Sequence, residues 1–256
     1  MTWLPITICA VLGVAIGSFL NVLIYRIPRN IPFANDRSKC PKCQAPIAVR
    51  DLIPIISWLL LRGKCRNCQE KISIRYPLIE IFTGVLFGLT GARIGAHWFL
   101  PAELVFVAAL IAISAIDLEY FVIPNRLVYP AGFICLALLI SAAVVGGDWH
   151  SLRTALISSM GAWLFMLVIH LISPRGMGFG DVRLAALIGL NVGWLSPGRA
   201  IFAIFLGFLL GATVGIAMIV FRHASRKSAL PFGPFLAAAA VIALFVQYSP
   251  LERLLP

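Results

Sequence analysis

Charged residues are scarce in this chain. They make up 12% of its 256 residues, whereas 61% are hydrophobic and the mean hydropathy is +0.96. A soluble domain is nearer half apolar and a quarter charged. A soluble globular fold is therefore excluded. The composition predicts an integral membrane protein of several helices, each with about 20 mostly apolar residues.

Acidic residues are the scarcer of the two charges, with 10 Asp and Glu against 21 Lys and Arg, for a net charge of +11. No run of basic residues alternates with aromatic ones, so the surplus does not predict nucleic-acid binding. Instead, 11 of the 21 basic residues lie between Arg26 and Arg75. This clustering is typical of a cytoplasmic loop, and we expect the segment to lie against anionic headgroups.

The first apolar segment lacks the basic start and the small-residue cleavage site of a signal peptide, so we predict a retained helix. A polar loop near 26–76 follows it. Apolar runs of membrane-spanning length then predict an all-α polytopic membrane protein with about eight transmembrane helices. We place these helices near 3–25, 77–96, 101–116, 126–146, 154–172, 182–195, 198–221 and 231–248.

The orientation follows from the positive-inside rule. If the loop near 26–76 is cytoplasmic, the N-terminus is outside and every second turn is inside. The inner turns then fall near 117–125, 173–181 and 222–230. The last of these contains three basic residues, which agrees with the rule: Arg222, Arg226 and Lys227.

Cysteine is rare, but four of the six cysteines form two Cys-x-x-Cys pairs in the polar loop. These are Cys40 with Cys43 and Cys65 with Cys68, with 21 residues between the pairs. Such spacing can place four thiolates around one structural zinc ion, with no open position for catalysis. Disulfides or idle thiols are the alternative, and a reducing cytoplasm disfavours disulfides. The remaining two, Cys9 and Cys135, are predicted to be core residues.

Two aspartates lie where membrane proteins rarely place charge. Asp117 follows LIAISAI and Asp181 follows GMGFG, so both fall at predicted cytoplasmic ends of helices. Two carboxylates face to face share one proton: one activates a water, and the protonated one polarises a carbonyl. The pair predicts aspartic peptide hydrolysis. Two structural alternatives remain: Asp181 as a helix N-cap, and Asp117 as a polar helix end beside a solvated Glu119.

The glycines before Asp181 indicate either a close backbone approach to a substrate or positive φ angles. They do not form a phosphate-binding loop, because the Gly-Lys-Ser/Thr ending and a preceding strand are missing. Glu80, at the predicted inner end of the second helix, is by default an interface charge. The alternative for Glu80 is contact with a substrate or cofactor.

Several stretches, in order along the chain, resemble the bacterial type IV prepilin peptidases. That family comprises bifunctional leader peptidases and N-methyltransferases, and its members are membrane aspartic proteases of the Gly-x-Gly-Asp kind. Arg183 stands where the family has a lysine, so the charge is kept. Besides the two cysteine pairs, the stretches are GSFLNVLIYRIP (17–28), ISIRYPLIE (72–80), IDLEYFVIPN (116–125), GMGFGDVRL (176–184) and PFGPFLAAA (231–239).

The resemblance implies catalytic roles for Asp117 and Asp181 at the inner face of a bacterial cytoplasmic membrane. It implies cleavage of prepilins or pseudopilins after a glycine, followed by N-methylation of the new terminus from S-adenosylmethionine. The N-terminus would be periplasmic, and the enzyme would serve type IV pili, type II secretion or competence. The implied domains are a first transmembrane helix (1–25), a cytoplasmic zinc loop (26–76) and a membrane peptidase core (77–256).

Two other classes of function remain open. An ion-coupled transporter would use both aspartates as proton carriers. Such sites, however, tend to lie near the midplane, often with inverted repeats, and this sequence has no fixed-period repeat. A zinc-dependent membrane scaffold or sensor would need only the cysteine loop. No Gly-x-Gly-x-Gly turn after a strand marks a methyl-donor site, so the residues that bind the donor are not identified by the sequence.

Overall fold

The computed structural model describes residues 3–32, 38–174, 176–221 and 230–246. Within these ranges the secondary structure is helical and no strand is formed, so the all-α prediction is confirmed. The α-helices are α1 (Trp3–Arg26), α2 (Ile56–Leu60), α3 (Arg75–Ile94), α4 (Leu100–Tyr120), α5 (Asn125–Gly146), α6 (Trp149–Ile172), α7 (Phe179–Leu195), α8 (Pro197–Val220) and α9 (Gly233–Phe245). A single 3₁₀ turn, Val49–Leu52, precedes α2.

Six of these helices are long and apolar enough to cross a membrane: α1, α3, α4, α5, α6 and α8. Helix α7 has 17 residues and α9 has 13, fewer than the roughly 20 that span the hydrocarbon core. Six full-length candidates are therefore found in the described ranges, rather than eight. The predicted inner-turn cations Arg222, Arg226 and Lys227 lie outside the described residues, as do positions 247–248 of the last predicted helix.

The chain divides into two compact units, Met1–Ala96 and His97–Pro256. In the first unit, α1 and α3 pack closely because glycines line their contact. A Cβ atom on Gly17 would come 2.7 Å from Cα of Glu80, and one on Gly84 would come 2.6 Å from Cγ2 of Val14. Small residues bring membrane helices together in this way. Helix α3 thus belongs to the unit that contains the cysteine loop.

Asn21 joins the same two helices by a hydrogen bond. Its Nδ2 donates to the carbonyl oxygen of Tyr76, in the first turn of α3, at 3.0 Å. A buried amide in an apolar helix needs such a partner, because an unsatisfied polar group is costly in a membrane. The bond therefore gives Asn21 a structural role between α1 and α3.

In the second unit, α4 and α7 are the most buried helices. They bury 13 of 21 and 12 of 17 residues, respectively. Helix α7 packs against α6 through glycine as well, because a Cβ on Gly189 would come 2.5 Å from the carbonyl oxygen of Ser158. The two helices at the centre of this unit are those that carry the aspartates.

Helix α4 runs four residues further than the sequence predicts. The predicted helix ends at 116, whereas α4 ends at Tyr120 and is closed by Phe121 in a left-handed conformation (φ 56°). The amide of Phe121 donates to the carbonyl oxygen of Asp117 at 2.9 Å. Pro124 disfavours helical geometry only in the residue before it, which leaves the earlier residues free to continue the helix. Asp117 is therefore inside the last turn of α4.

Candidate functional site

Asp117 is held by the backbone of the last described helix. The side chain is only 4% exposed, and its Oδ2 accepts the N–H of Gly233 at 2.9 Å. Gly233 is the first residue of α9, where backbone N–H groups have no partner inside the helix. The partial positive charge of the helix N-terminus also favours a carboxylate there. Asp117 is thus a fixed, buried acid rather than a solvated helix end.

Asp181 lies in the first turn of α7 and is 7% exposed. The N-cap of this helix is Gly178, whose carbonyl oxygen accepts the amide of Asp181 at 3.1 Å. The interpretation of Asp181 as an N-cap is therefore wrong, because the capping position lies three residues earlier. Its carboxylate instead turns back toward the amide of Gly178, the N-cap residue itself.

The structure brings the two aspartates together. Their carboxylates are close enough to interact electrostatically. Ile123 packs at the same place: a Cβ on Gly180 would lie 2.7 Å from Cβ of Ile123, and one on Gly233 would lie 3.2 Å from its Cδ1. The end of α4 and the starts of α7 and α9 therefore converge on one site.

The glycine run serves close approach rather than unusual backbone angles. Neither Gly178 nor Gly180 has a positive φ, so that alternative is wrong for these two glycines. Gly180 instead lies against Ile123, where any side chain would collide. The glycines thus allow the start of α7 to pack against the loop that follows Asp117.

The four loop cysteines form a cluster that could hold a metal ion. All four sulfurs lie within 4.8 Å of one another, and those of Cys40 and Cys68 are 3.7 Å apart. A tetrahedral ion with metal–sulfur bonds of about 2.3 Å holds its sulfurs about 3.8 Å apart. The amides of Cys43 and Lys42 lower the pKa of the Cys40 thiol to about 6, whereas burial and the other three thiols outweigh the amide of Glu70 and raise the pKa of Cys68 to about 11. The cluster therefore shares protons, which a bound metal ion would displace. The donor set and its geometry fit zinc. All four cysteines are free thiols, so the disulfide alternative is not supported.

The two cysteine pairs adopt the same local fold, a repeat that the sequence did not lead us to predict. In each, the amide of the first cysteine donates to the residue five positions later, at 3.0 Å for Cys40 and 2.8 Å for Cys65. Each pair is followed by a glutamine with positive φ, Gln44 at 58° and Gln69 at 60°. The shared pattern Lys-Cys-x-x-Cys-Gln-x-x-Ile was the available signal.

Two ion pairs join these knuckles to each other and to the 3₁₀ turn. Lys42 of the first pairs with Glu70 beside the second. Arg66 binds Asp51 through two nitrogens, at 2.9 and 2.6 Å. Solvent screens surface pairs of this kind, so they contribute little to stability. The metal, rather than the ion pairs, is therefore the main expected source of stability. Cys9 and Cys135 are buried in α1 and α5, as predicted for core residues.

Comparison with known proteins assigns the region of the cysteine loop and the region of the two aspartates to the same family. Residues 11–94 match the bacterial peptidase A24 N-terminal domain, and residues 104–216 match the type IV leader peptidase family. A prepilin leader peptidase/N-methyltransferase of Neisseria gonorrhoeae is 37% identical over 93% of this chain and 89% of its own length. The chain belongs to the type IV leader peptidase family. A relative of the same name from Bacillus subtilis (strain 168) is 34% identical over 93% of each chain. No solved structure matches.

Both aspartates fall in the segment that matches the type IV leader peptidase family, and all four loop cysteines fall in the segment that matches its N-terminal domain.

A further contact joins the two aspartate motifs of this family member. Arg183 donates from a terminal nitrogen to Oδ1 of Asn125 and stacks over Phe179, with Cζ 4.5 Å from the ring centre. From the sequence, Arg183 was identified only as a basic residue at a position where the family has a lysine.

Two residues of the site, Gly233 and His170, were not predicted from the sequence. Gly233 supplies the hydrogen bond to Asp117, and the quoted PFGP stretch was the only sign of it. His170 had no assigned role, yet its Nδ1 lies 2.8 Å from the carbonyl oxygen of Met177 and its ring packs edge-on against Phe179. Glu80 is also not the interface charge expected by default, since it is 7% exposed.

Proposed function

We propose that this family member removes the leader peptide from type IV prepilins and pseudopilins by cleavage after a glycine, and then methylates the new N-terminal residue. The observation that carries the cleavage half is the meeting of two buried carboxylates, Asp117 and Asp181, from separate helices of the leader-peptidase segment. The names of the relatives support both halves of the activity.

In the proposed mechanism, Asp117 and Asp181 share one proton. The ionised carboxylate removes a proton from water, whose oxygen attacks the scissile carbonyl carbon. The protonated carboxyl polarises the carbonyl oxygen, and the C–N bond breaks as the amine nitrogen takes up a proton. The N–H of Gly233 holds Asp117 in place during these transfers. The burial of both acids supports a site from which bulk water is largely excluded.

The proposed setting is the cytoplasmic membrane of a bacterium, with the N-terminus in the periplasm and both the cysteine loop and the aspartates at the cytoplasmic face. Six candidate spans support a multi-pass membrane protein. The basic segment before α3 supports the orientation. We propose that residues 1–25 form the first transmembrane helix, 26–76 the cytoplasmic zinc loop and 77–256 the peptidase core. The pathway served would be a type IV pilus, type II secretion or competence.

Two bound groups belong to this proposal. Zinc, held by Cys40, Cys43, Cys65 and Cys68, would stabilise the loop and take no part in cleavage, because four thiolates leave no open coordination position. S-adenosylmethionine would supply the methyl group. The lipid bilayer is the surrounding partner, and no nucleic-acid partner is proposed.

The proposed function is tested with purified protein in detergent or liposomes and a prepilin peptide that spans the leader junction. Mass spectrometry should detect the released leader and, when S-adenosylmethionine is present, a methyl group on the new N-terminus. A chain that leaves the peptide intact under conditions in which a relative cleaves it would refute the peptidase assignment. Cleavage without methylation would refute only the methyltransferase part of the proposal.

A substitution at Gly233 should damage cleavage even though neither aspartate is replaced. A Cβ at this position would come 2.8 Å from Oδ2 of Asp117 and 3.2 Å from Cδ1 of Ile123. Displacement of a catalytic group by about 1 Å can cost about 100-fold in rate, so Gly233→Ala should lower the cleavage rate roughly 10- to 100-fold.

Gly161→Ala is the matched control, because a Cβ at Gly161 meets no atom within 4 Å. Its cleavage rate should stay within about twofold of the wild type, as for substitutions away from packed sites. Equal rates for the two alanine variants would show that the Gly233 contact has no part in catalysis.

A further inference from the structure

The loop between α1 and α3 contains an apolar segment to which the proposed function gives no role. Residues 52–61, with the sequence LIPIISWLLL, carry no charge, although they lie in the most basic part of the chain. Helix α2 lies within this segment. So many large apolar side chains in a polar loop need a cover, either from the protein or from lipid. The two sides of α2 differ in what covers them.

One side of α2 packs against the loop, and the other side is uncovered. Ser57 is buried, and Nε1 of Trp58 donates to the carbonyl oxygen of Ile72 at 3.2 Å. Ile56, Leu59 and Leu60 occupy the i, i+3 and i+4 positions that share one face of a helix, and they are 55%, 61% and 78% exposed. Three large aliphatic side chains thus point away from the described part of the loop.

A hydrogen bond places the start of α2 beside a membrane helix rather than beyond its end. The amide of Ile55 donates to Oε2 of Glu80 at 2.7 Å. Glu80 is about 7.5 Å further along α3 than its first residue, Arg75. Helical side chains point back toward the N-terminus, so Ile55 lies level with the first two turns of α3. Because α3 has only 20 residues, just enough to cross the hydrocarbon core, these turns lie at the edge of that core.

Helix α1 indicates the same depth. Gly17 lies directly against the Cα of Glu80, and it is about 13 Å before the end of α1 at Arg26. The chain therefore leaves the membrane at the end of α1 and comes back to the level of the membrane boundary at Ile55. The uncovered face of α2 lies at this boundary.

The backbone before α2 meets the condition for a position beside hydrocarbon, where an N–H group without a partner is costly. Pro54 has no N–H, and the amide of Ile55 is bonded to Glu80. The amides of Ile56 and Ser57 donate to main-chain carbonyl oxygens of the same turn at 2.5 and 3.1 Å. Each main-chain donor from 54 to 57 thus has a partner.

Exposed cations flank the apolar face. Arg50 precedes it, and Arg62 and Lys64 follow it. Asp51, the acid next to Arg50, is already bound by two nitrogens of Arg66. Apolar side chains with cations around them are typical of helices that lie in the membrane interface, where cations attract anionic lipids. The charge of this surface therefore favours lipid as its partner.

We propose that α2 is an interfacial element of the loop. Ile56, Leu59 and Leu60 insert among the acyl chains at this edge of the bilayer, while Arg50 and Arg62 contact the phosphates of anionic lipids. The loop between α1 and α3 then returns to the membrane between its two cysteine pairs, instead of lying wholly in the cytoplasm. This inference concerns how the loop is held, and it does not rest on the proposed reaction.

The first test needs no variant. The metal-loaded full chain is placed in nanodiscs with a lipid that carries a diazirine at the end of an acyl chain. After illumination, peptide mapping should find lipid attached within 53–60, as well as to α1 and α3. Peptides of the first cysteine pair should stay unlabelled. Label on α1 and α3 without label on 53–60 would overturn the proposal. So would label on 53–60 that a prepilin peptide displaces, because the face would then bind substrate.

Hydrogen exchange tests the part played by anionic lipid. The amides of Leu59 and Leu61 are bonded within α2 and its end, so their protection reports how often the element opens. Addition of phosphatidylglycerol to phosphatidylcholine nanodiscs should raise this protection roughly fivefold for each cation that contacts lipid. The double variant Arg50→Gln/Arg62→Gln should lose the increase. Arg93→Gln, the same change in the last turn of α3, is the matched control and should keep it. An increase of wild-type size in the double variant would remove the lipid contact of these cations.

A substitution at Leu60 distinguishes lipid from water around the apolar face. If the face lies in water, an aspartate at such an exposed position has little effect. In lipid, Leu60→Asp should lower the protection of the α2 amides roughly tenfold and abolish the acyl-chain label on 53–60. Leu60→Met keeps an apolar side chain of similar size and should behave as the wild type does. Wild-type protection and labelling in Leu60→Asp would show that the face lies in water, against the proposal.

Discussion

Asparagine at position 117 or 181 is expected to abolish leader cleavage while the protein stays folded. A general acid or base contributes about 10²- to 10⁴-fold to a rate, and here each carboxyl needs the other to hold the shared proton. Groups that act as a unit are not additive. The double variant should therefore be hardly slower than either single variant. The measurement is the cleavage rate of a prepilin peptide by the three variants and the wild type.

The fold should survive these changes for a reason visible in the contacts. An asparagine at 117 keeps a side-chain oxygen that can accept the amide of Gly233, and an asparagine at 181 keeps one that can accept the amide of Gly178. Asp148→Asn is the matched control, because Asp148 caps α6 by accepting the amide of Ser151 at 3.1 Å and asparagine caps equally well. This control should cleave at the wild-type rate.

The same variants separate the competing classes of function. A normal cleavage rate in Asp117→Asn or Asp181→Asn would return that residue to a structural role and remove the two-carboxylate mechanism. A zinc scaffold or sensor predicts harmless aspartate substitutions and damaging cysteine substitutions. If the protein is a transporter, the aspartate variants should lose proton-coupled transport in liposomes. The wild type should then release no leader peptide.

Removal of the metal is expected to unfold the cysteine loop. Structural zinc contributes about 10 to 16 kcal/mol in small zinc-binding peptides, far more than ion pairs that solvent screens. A serine at position 40, 43, 65 or 68 should therefore abolish stoichiometric metal binding. It should also expose the segment between α1 and α3 to proteases. Elemental analysis should find about one zinc ion per wild-type chain.

The remaining two cysteines provide the control for that experiment. Cys9→Ala and Cys135→Ala change thiols that are buried in α1 and α5, away from the cluster. Both should keep the metal and the protease resistance of the wild type. Wild-type metal content in a serine variant of the cluster would show that the sulfurs do not act together as ligands. If the wild-type chain contains no metal when it is isolated under reducing conditions, the four loop cysteines do not act as metal ligands.

Features with a local signature could be predicted from the sequence. The apolar runs predicted the helical membrane fold, and the spacing within Cys40–Cys43 and Cys65–Cys68 predicted the cluster. Both signals depend on side-chain type over a few residues. The end of α4 was misplaced because Asp117 was taken as the first residue of a turn. Helix α4 instead continues past Asp117 to Tyr120, where Phe121 in a left-handed conformation ends it.

Contacts made by the backbone could not be predicted in this way. Asp117 and Gly233 are 116 positions apart, and the donor is a main-chain amide, which every residue except proline carries. The amide of Ile55, which donates to Oε2 of Glu80 at 2.7 Å, is equally unmarked. Isoleucine is, moreover, among the last residues expected at positive φ, and the φ of Ile55 is 62°. Tertiary packing overrides local preference at both places.

The hydrogen bond between Asp117 and Gly233 also has a consequence for the timing of synthesis. The acid is made 116 residues before its backbone donor. At about 5 to 20 residues per second, that interval lasts roughly 6 to 23 seconds. The growing chain thus carries Asp117 and later Asp181 into the membrane before the amide that anchors the first of them exists. A ribosome-bound intermediate that ends before α9 holds both acids without the amide of Gly233, so we expect leader cleavage only after the last described helix has been made.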